Sequence, residues 1–160
     1  MGGGATCWDW LLALSPDVLR YVEVKVAALP PALLYAGRLG MSHVVQISTQ
    51  VRDAAAVRKA CDRLGLDDPV EGEVKLFSQT VSGLAVQLAK WRYPVVFDLA
   101  TGESKFDNYQ GYWGNQQHLD EFLQAYAVEK TKLEARRKGY SVTERSLEGG
   151  RIQLSVNVGA

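Results

Sequence analysis

The sequence predicts an α+β domain: an antiparallel sheet with two helices packed on one face. Three observations predict it. Two stretches carry apolar residues at helical spacing between clear start and stop residues. Several shorter stretches are rich in β-branched residues or alternate, and turn residues separate them at hairpin distances. The last stretch alternates most plainly, with Ile152, Leu154, Val156 and Val158 on one side and Arg151, Gln153, Ser155 and Asn157 on the other. A strand patterned in this way buries one face only, the habit of antiparallel sheets.

In chain order, His43 to Thr49 is the first clear strand, carrying Val44, Val45, Ile47 and Thr49. Asp53 is placed to cap a helix that runs to Leu64, with Ala54, Val57, Ala60, Cys61 and Leu64 on one face. Gly65 stands where a left-handed stop belongs. Strand-like segments follow at Val70–Phe77, Gly83–Lys90 and Val95–Leu99, and after the turn Ala100-Thr101-Gly102-Glu103 the chain returns antiparallel through Ser104 to Tyr109. The longest helix is expected over Gln117–Lys138, with Leu119, Phe122, Leu123, Tyr126 and Leu133 facing inward. Asp120 and Glu121 early and Arg136, Arg137 and Lys138 late match the helix dipole, and Gly139 ends the element. A hairpin closes the pattern: Tyr140–Ser146, a turn through Glu148-Gly149-Gly150, then Arg151–Val158.

Composition excludes several classes. Apolar residues are 47% and charged residues 22% of the 160, the balance of a folded chain rather than a disordered one. Eighteen basic residues meet 18 acidic ones. Residues 1–40 carry three of each sign, so neutrality is not an average over opposed halves. Duplex-binding domains carry a basic excess that displaces counterions, so nucleic acid is disfavoured as the main partner. Cys7, Cys61, His43 and His118 are too scattered for a structural zinc site, and two cysteines make no disulfide framework. A reduced, cytoplasmic setting is the expectation. The apolar run Val26–Gly37 is short and broken by Pro30-Pro31, so no membrane span is read there. Trp10–Leu14 follows an acidic residue, which is no secretory signal.

The chain divides at Met41. Residues 1–40 open on Met-Gly-Gly-Gly and are punctuated by Pro16, Pro30 and Pro31. Trp8–Leu14 reads as a turn or two of helix and Val22–Val26 as a strand, neither with a visible partner. We expect residues 1–40 to be an N-terminal extension outside the native protein, with Met41 the natural start and 41–160 the single α+β domain. The alternative is a genuine N-terminal subdomain.

A resemblance enters at Met41-Ser42-His43, continues through Ile47-Ser48-Thr49-Gln50-Val51-Arg52-Asp53 and Leu64-Gly65, and resumes at Phe122-Leu123-Gln124-Ala125-Tyr126-Ala127. It runs on at Glu134-Ala135-Arg136 and Gly139-Tyr140, and ends at Gly150-Arg151-Ile152. In these blocks the chain resembles the bacterial and plastid family called domain of unknown function 1257, which includes chloroplast hypothetical reading frame 35 proteins. The resemblance covers residues 41–160 and is poorest over Pro69–Arg92. It implies no established activity. Its implication is contextual: relatives are often encoded beside an AAA-type ATPase and a small ferredoxin-like protein, which points to an accessory role with such a protein partner.

The segment richest in chemistry is 106–117, where Phe106, Asn108, Tyr109, Tyr112, Trp113 and Asn115 lie between a strand and the long helix. Ring faces flanked by amides suit a partner's groove, a sugar or a nucleobase. The same residues would serve equally as a plug for the end of the core, with the amides capping the helix. Lys130 falls on the apolar stripe of the long helix. A desolvated lysine loses pKa and becomes a base or nucleophile, although a lysine on such a stripe more often lies along it and keeps its ammonium wet. His43 titrates near neutrality but has no identifiable acidic or nucleophilic partner, and His118 reads as a local hydrogen-bonding residue. The basic run Lys130, Lys132, Arg136, Arg137 and Lys138 is interrupted by Glu129 and Glu134, as in a solvated helix end.

No phosphate-binding loop, dinucleotide fingerprint or nucleophile elbow is present, and no catalytic residue, metal or cofactor is assigned. The leading expectation is a non-enzymatic adaptor that binds a protein partner. The alternatives are a small-ligand binder or enzyme that uses the 106–117 loop with Lys130 or His43, and a binder of single-stranded nucleic acid.

Overall fold

Strands form where β-branched residues alternate and helices where capping residues bound a helical repeat. A computed structural model describes residues 20–24, 45–48 and 51–157, the first two segments by their backbone alone. The elements are β1 (Arg20–Val24), β2 (Val45–Ser48), α1 (Ala54–Leu64), β3 (Val70–Lys75), β4 (Thr80–Val86), β5 (Val95–Asp98), β6 (Glu103–Phe106), α2 (Gln116–Arg137), β7 (Ser141–Ser146) and β8 (Ile152–Asn157). The class is α+β, as the sequence predicts.

Both helices start and stop for local reasons. The Asp53 carboxylate accepts hydrogen bonds from the amides of Ala55 and Ala56, at 2.9 and 3.2 Å. Gly65, at φ 64 and ψ 33, ends α1 in the left-handed region. The Asn115 side chain accepts from the Gln117 amide at 2.9 Å and caps α2. At the other end the Tyr140 amide reaches back to the carbonyl of Ala135.

The sheet differs from expectation. Among the described residues there are two antiparallel sheets, not one: a five-stranded sheet in the order β2-β6-β5-β4-β3 and a three-stranded sheet in the order β1-β8-β7. The closing hairpin is the predicted one, but it does not join the large sheet. It pairs instead with β1, Val22 facing Leu154 and Glu23 facing Gln153. Of the 22–26 segment, which the sequence leaves without a partner, residues 22–24 therefore have one, and 25–26 lie outside the described residues. Alternation announces that a strand is half-buried and says nothing about which edge it joins.

The expected strand over 83–90 is also shifted. It runs from Thr80 to Val86, with Gly83 inside it at φ 155. A Cβ at Gly83 would stand 2.6 Å from the carbonyl oxygen of Phe97, so the close approach of β4 to β5 demands glycine there.

The main core joins both helices to alternate residues of the large sheet. Ala56, Val57, Ala60 and Cys61 of α1 and Leu119, Phe122, Ala125 and Tyr126 of α2 pack with Leu84, Val86, Val95, Phe97 and Phe106. Phe97 and Phe122 stack with centroids 5.4 Å apart. The other parity of the same strands supplies a smaller cluster: Leu76, Val81, Ala85 and Val96, with Val74 and Tyr93 against it.

The predicted inward stripe of α2 is only half of its buried surface. Val128, Thr131 and Ala135 form a second buried row, while Leu123 and Leu133 are only partly covered. The helix also touches β1, β7 and β8, where Leu154 and Val156 are buried. A helix between two sheets needs two small-to-medium apolar rows rather than one strong stripe. Among the described residues, no helix is long and apolar enough to cross a membrane.

Candidate functional site

The 106–117 segment divides into an anchored half and an exposed half. Phe106 is buried in the core, edge-on to Trp91 with centroids 5.5 Å apart. Asn115 caps α2, and its carbonyl oxygen accepts from the Trp91 indole N–H at 3.1 Å. Gly114 lies flat against that indole: a Cβ there would meet Trp91 Cδ2 at 2.2 Å. The Asn108 carbonyl accepts from the amides of Gly111 and Trp113, at 2.9 and 3.0 Å. Phe106, Asn108 and Asn115 therefore shape and anchor the loop rather than present a surface.

The remaining candidates come together. Tyr109 stacks on Trp113 at 4.8 Å and 27°, and Tyr112 lies 5.6 Å from Tyr109. Trp113 also meets Phe77, from the β3–β4 hairpin, at 5.0 Å and the edge of Tyr93, from the β4–β5 connection, at 5.4 Å. The Arg92 guanidinium carbon sits 5.2 Å from the Trp113 ring and 5.7 Å from that of Tyr93. The Arg92 amide donates to the Trp113 carbonyl at 2.8 Å and ties the two connections together. Three segments distant in sequence thus build one patch around Trp113.

The patch is open to solvent where it matters. Tyr112 is 82% exposed and Phe77 55%, and both rank among the large apolar side chains left outside the core. Lys90, Tyr109 and Gln110 have φ of 61°, 43° and 54°, and among the described residues these are the non-glycine positions in the left-handed region. Such conformations cost roughly 1–3 kcal/mol each and persist where the surroundings impose them, commonly at binding sites. Here all three fall in the connections that build the patch.

The sequence did not reveal Phe77, Trp91, Arg92 and Tyr93 as parts of this site. The signal was present as Trp91-Arg92-Tyr93-Pro94, a dense aromatic and basic run. Only the fold brings it to Trp113.

Lys130 belongs elsewhere. Its ammonium contacts Asp53 Oδ2 at 2.8 Å and Glu134 Oε1 at 2.6 Å, and Arg137 joins the same two carboxylates. Burial draws the Lys130 pKa down, but the hydrogen bonds and charges of Asp53 and Glu134 outweigh it and the net shift is upward. It is not the lowered-pKa amine that nucleophilic chemistry needs. The Tyr126 hydroxyl lies nearby and accepts from the amides of Arg52 and Asp53, at 3.1 and 3.3 Å. Lys130 and Tyr126 together fasten the start of α1 to the middle of α2.

A second ionic junction joins α1, α2 and β7. Arg63 pairs with Glu129 at 3.1 Å and with Glu144, and Lys132 pairs with Glu144 at 2.6 Å and Glu129 at 3.2 Å. The Arg63 hydrogen bond, opposed by burial and aided by Lys132, holds the Glu144 carboxyl down at about 2. The basic run is thus partly neutralised in place.

Burial, with Asp62 and Asp68 adding to it, pushes the Cys61 thiol up to about 11, so this cysteine is a core residue without thiolate character. His43 lies outside the described residues. Among the described residues, no group of three or more His, Cys, Asp or Glu is arranged to hold a metal ion. No family model, no curated protein and no solved structure matches the chain.

Proposed function

We propose that the protein is a non-enzymatic accessory or adaptor module that binds a protein partner through the patch centred on Trp113. The carrying observation is that five aromatic rings and one guanidinium, from three separate connections, converge on a partly exposed surface. Trp, Tyr and Arg are the residues most enriched at the energetic centres of protein interfaces, because each combines large apolar area with a directed polar group. The anchors beneath the patch (Trp91, Gly114 and Asn115) hold it in place before any partner arrives, which lowers the ordering cost of association.

The resemblance to the family called domain of unknown function 1257 supports the choice of partner class, an AAA-type ATPase or a ferredoxin-like protein. A cytoplasmic setting is part of the same proposal and rests on the cysteine pattern. An enzyme built on Lys130 is less well supported, since its ammonium is engaged by two carboxylates.

The test is affinity capture from the native lysate with the full chain, run beside Tyr112→Ala and Trp113→Ala. A stoichiometric ATPase or ferredoxin-like protein that both variants lose is the expected result. Equal capture by all three chains would remove the patch from consideration.

A further inference from the structure

The charge carried by the ring-bearing connections differs from that of the chain as a whole. The full sequence is neutral. The hairpin tip 76–79 holds Leu, Phe, Ser and Gln, and no charge. The connection 87–94 holds Lys90 and Arg92, both exposed. The loop 107–115 holds one charged residue, Asp107, which is buried at 0% exposure and accepts from the Tyr109 amide at 3.3 Å. The charge that these three connections present to solvent is therefore purely basic. One of the two cations already lies over the rings, and the other sits in left-handed backbone two residues away.

We infer that the partner segment this patch takes is an acidic peptide, whose apolar side chains lie against Tyr112, Trp113 and Phe77 while its carboxylates pair with Arg92 and Lys90. The inference rests on the interface proposed above and names its ligand chemistry. Arg92 suits the role because a guanidinium resting on aromatic rings keeps its edge N–H donors free for a carboxylate, where two parallel bonds form. Opposite charge around an apolar centre also fixes orientation and excludes basic competitors. A single strand of nucleic acid would use the same rings and the same cations, with bases stacked where the peptide places apolar side chains. The peptide is favoured because two cations are a small electrostatic footprint for a phosphate chain.

Random peptides displayed on phage, selected on the immobilised full chain, test this directly. Selected sequences should be rich in Asp and Glu beside aromatic or aliphatic residues. A synthetic peptide of that consensus should bind about tenfold more weakly to Arg92→Glu, and its affinity should fall as salt is raised. It should also be lost on Tyr112→Ala, a position too exposed to disturb folding. If the selected peptides depend on Tyr112 but lack carboxylates, the acidic inference falls while the interface stands. If the wild-type chain selects nothing over Tyr112→Ala, both fall. Binding of oligothymidylate in place of any peptide would overturn the inference in favour of nucleic acid.

Discussion

The two faces of the five-stranded sheet are made by the same strands and are finished in different ways. On one, Leu84, Val86, Val95, Phe97 and Phe106 lie in one buried cluster with residues of α1 and α2, with almost no exposure. On the other, a smaller group around Val81, Ala85 and Val96 borders Tyr93, whose ring leads to Trp113 and Phe77 and so to open surface. Charge is divided in a parallel way. Around the helices, cations and carboxylates satisfy one another in two junctions, whereas beside the rings Arg92 has aromatic faces for neighbours. A side whose ion pairs close within the chain is built as scaffold. The other side leaves large rings wet, Tyr112 and Phe77 among them.

Four substitutions would break or sharpen this contrast. The largest effect belongs to Phe122→Ala, which empties the stacked contact with Phe97 at a fully buried position and should cost ~3–5 kcal/mol in urea unfolding. A loss below 1 kcal/mol would show that the helix-covered face is not the stabilising one. Gly114→Ala forces a methyl into the Trp91 ring and should cost ~1–3 kcal/mol by overpacking. It should also shift the tryptophan fluorescence, because the loop must lift; unchanged emission with unchanged stability would mean that the loop is not seated on Trp91.

The third concerns pH. The Glu144, Asp53 and Glu134 carboxyls are all held below their ordinary values, Glu144 at about 2. A depressed carboxyl contributes stability that is full above its unfolded pKa and is lost as pH falls through its folded one. The Tm should therefore decline between pH 4.5 and about 2. Glu144→Gln should flatten that decline and lower neutral-pH stability by about 1 kcal/mol, screening by solvent holding the figure down. Lys130 has the opposite sign, its contribution lasting from acid through neutrality and being lost only as pH rises through its raised pKa. An acid limb unaltered by Glu144→Gln would remove this junction from the account.

The smallest stability effect is expected for Tyr112→Ala, within about 0.5 kcal/mol of wild type, because its ring is 82% exposed. Greater destabilisation would reassign Tyr112 from the surface to the core and weaken the case for an interface.

Much of the fold was legible along the chain. Asp53 and Gly65 bound α1, Asn115 was among the amides expected to cap α2, and the 140–158 alternation announced the final hairpin. These are local effects, settled by a carboxylate or amide reaching its own helix's first amides and by glycine's freedom at positive φ. The candidate site was half legible. Tyr109, Tyr112 and Trp113 stood out as a dense aromatic run, yet Phe106 proved to be core, and the Lys130 ammonium, read along the chain as wet more often than desolvated, is held by two carboxylates.

What the sequence by itself determined was the class of the fold and the ends of its helices, because those depend on neighbours within a few residues. Only the tertiary structure decided that there are two sheets with α2 between them, that Val22 faces Leu154, and that Phe77, Arg92 and Tyr93 meet at Trp113. Periodicity reports that a side chain will be buried. Which surface buries it, and which rings remain outside, depends on long-range pairing that no local pattern encodes.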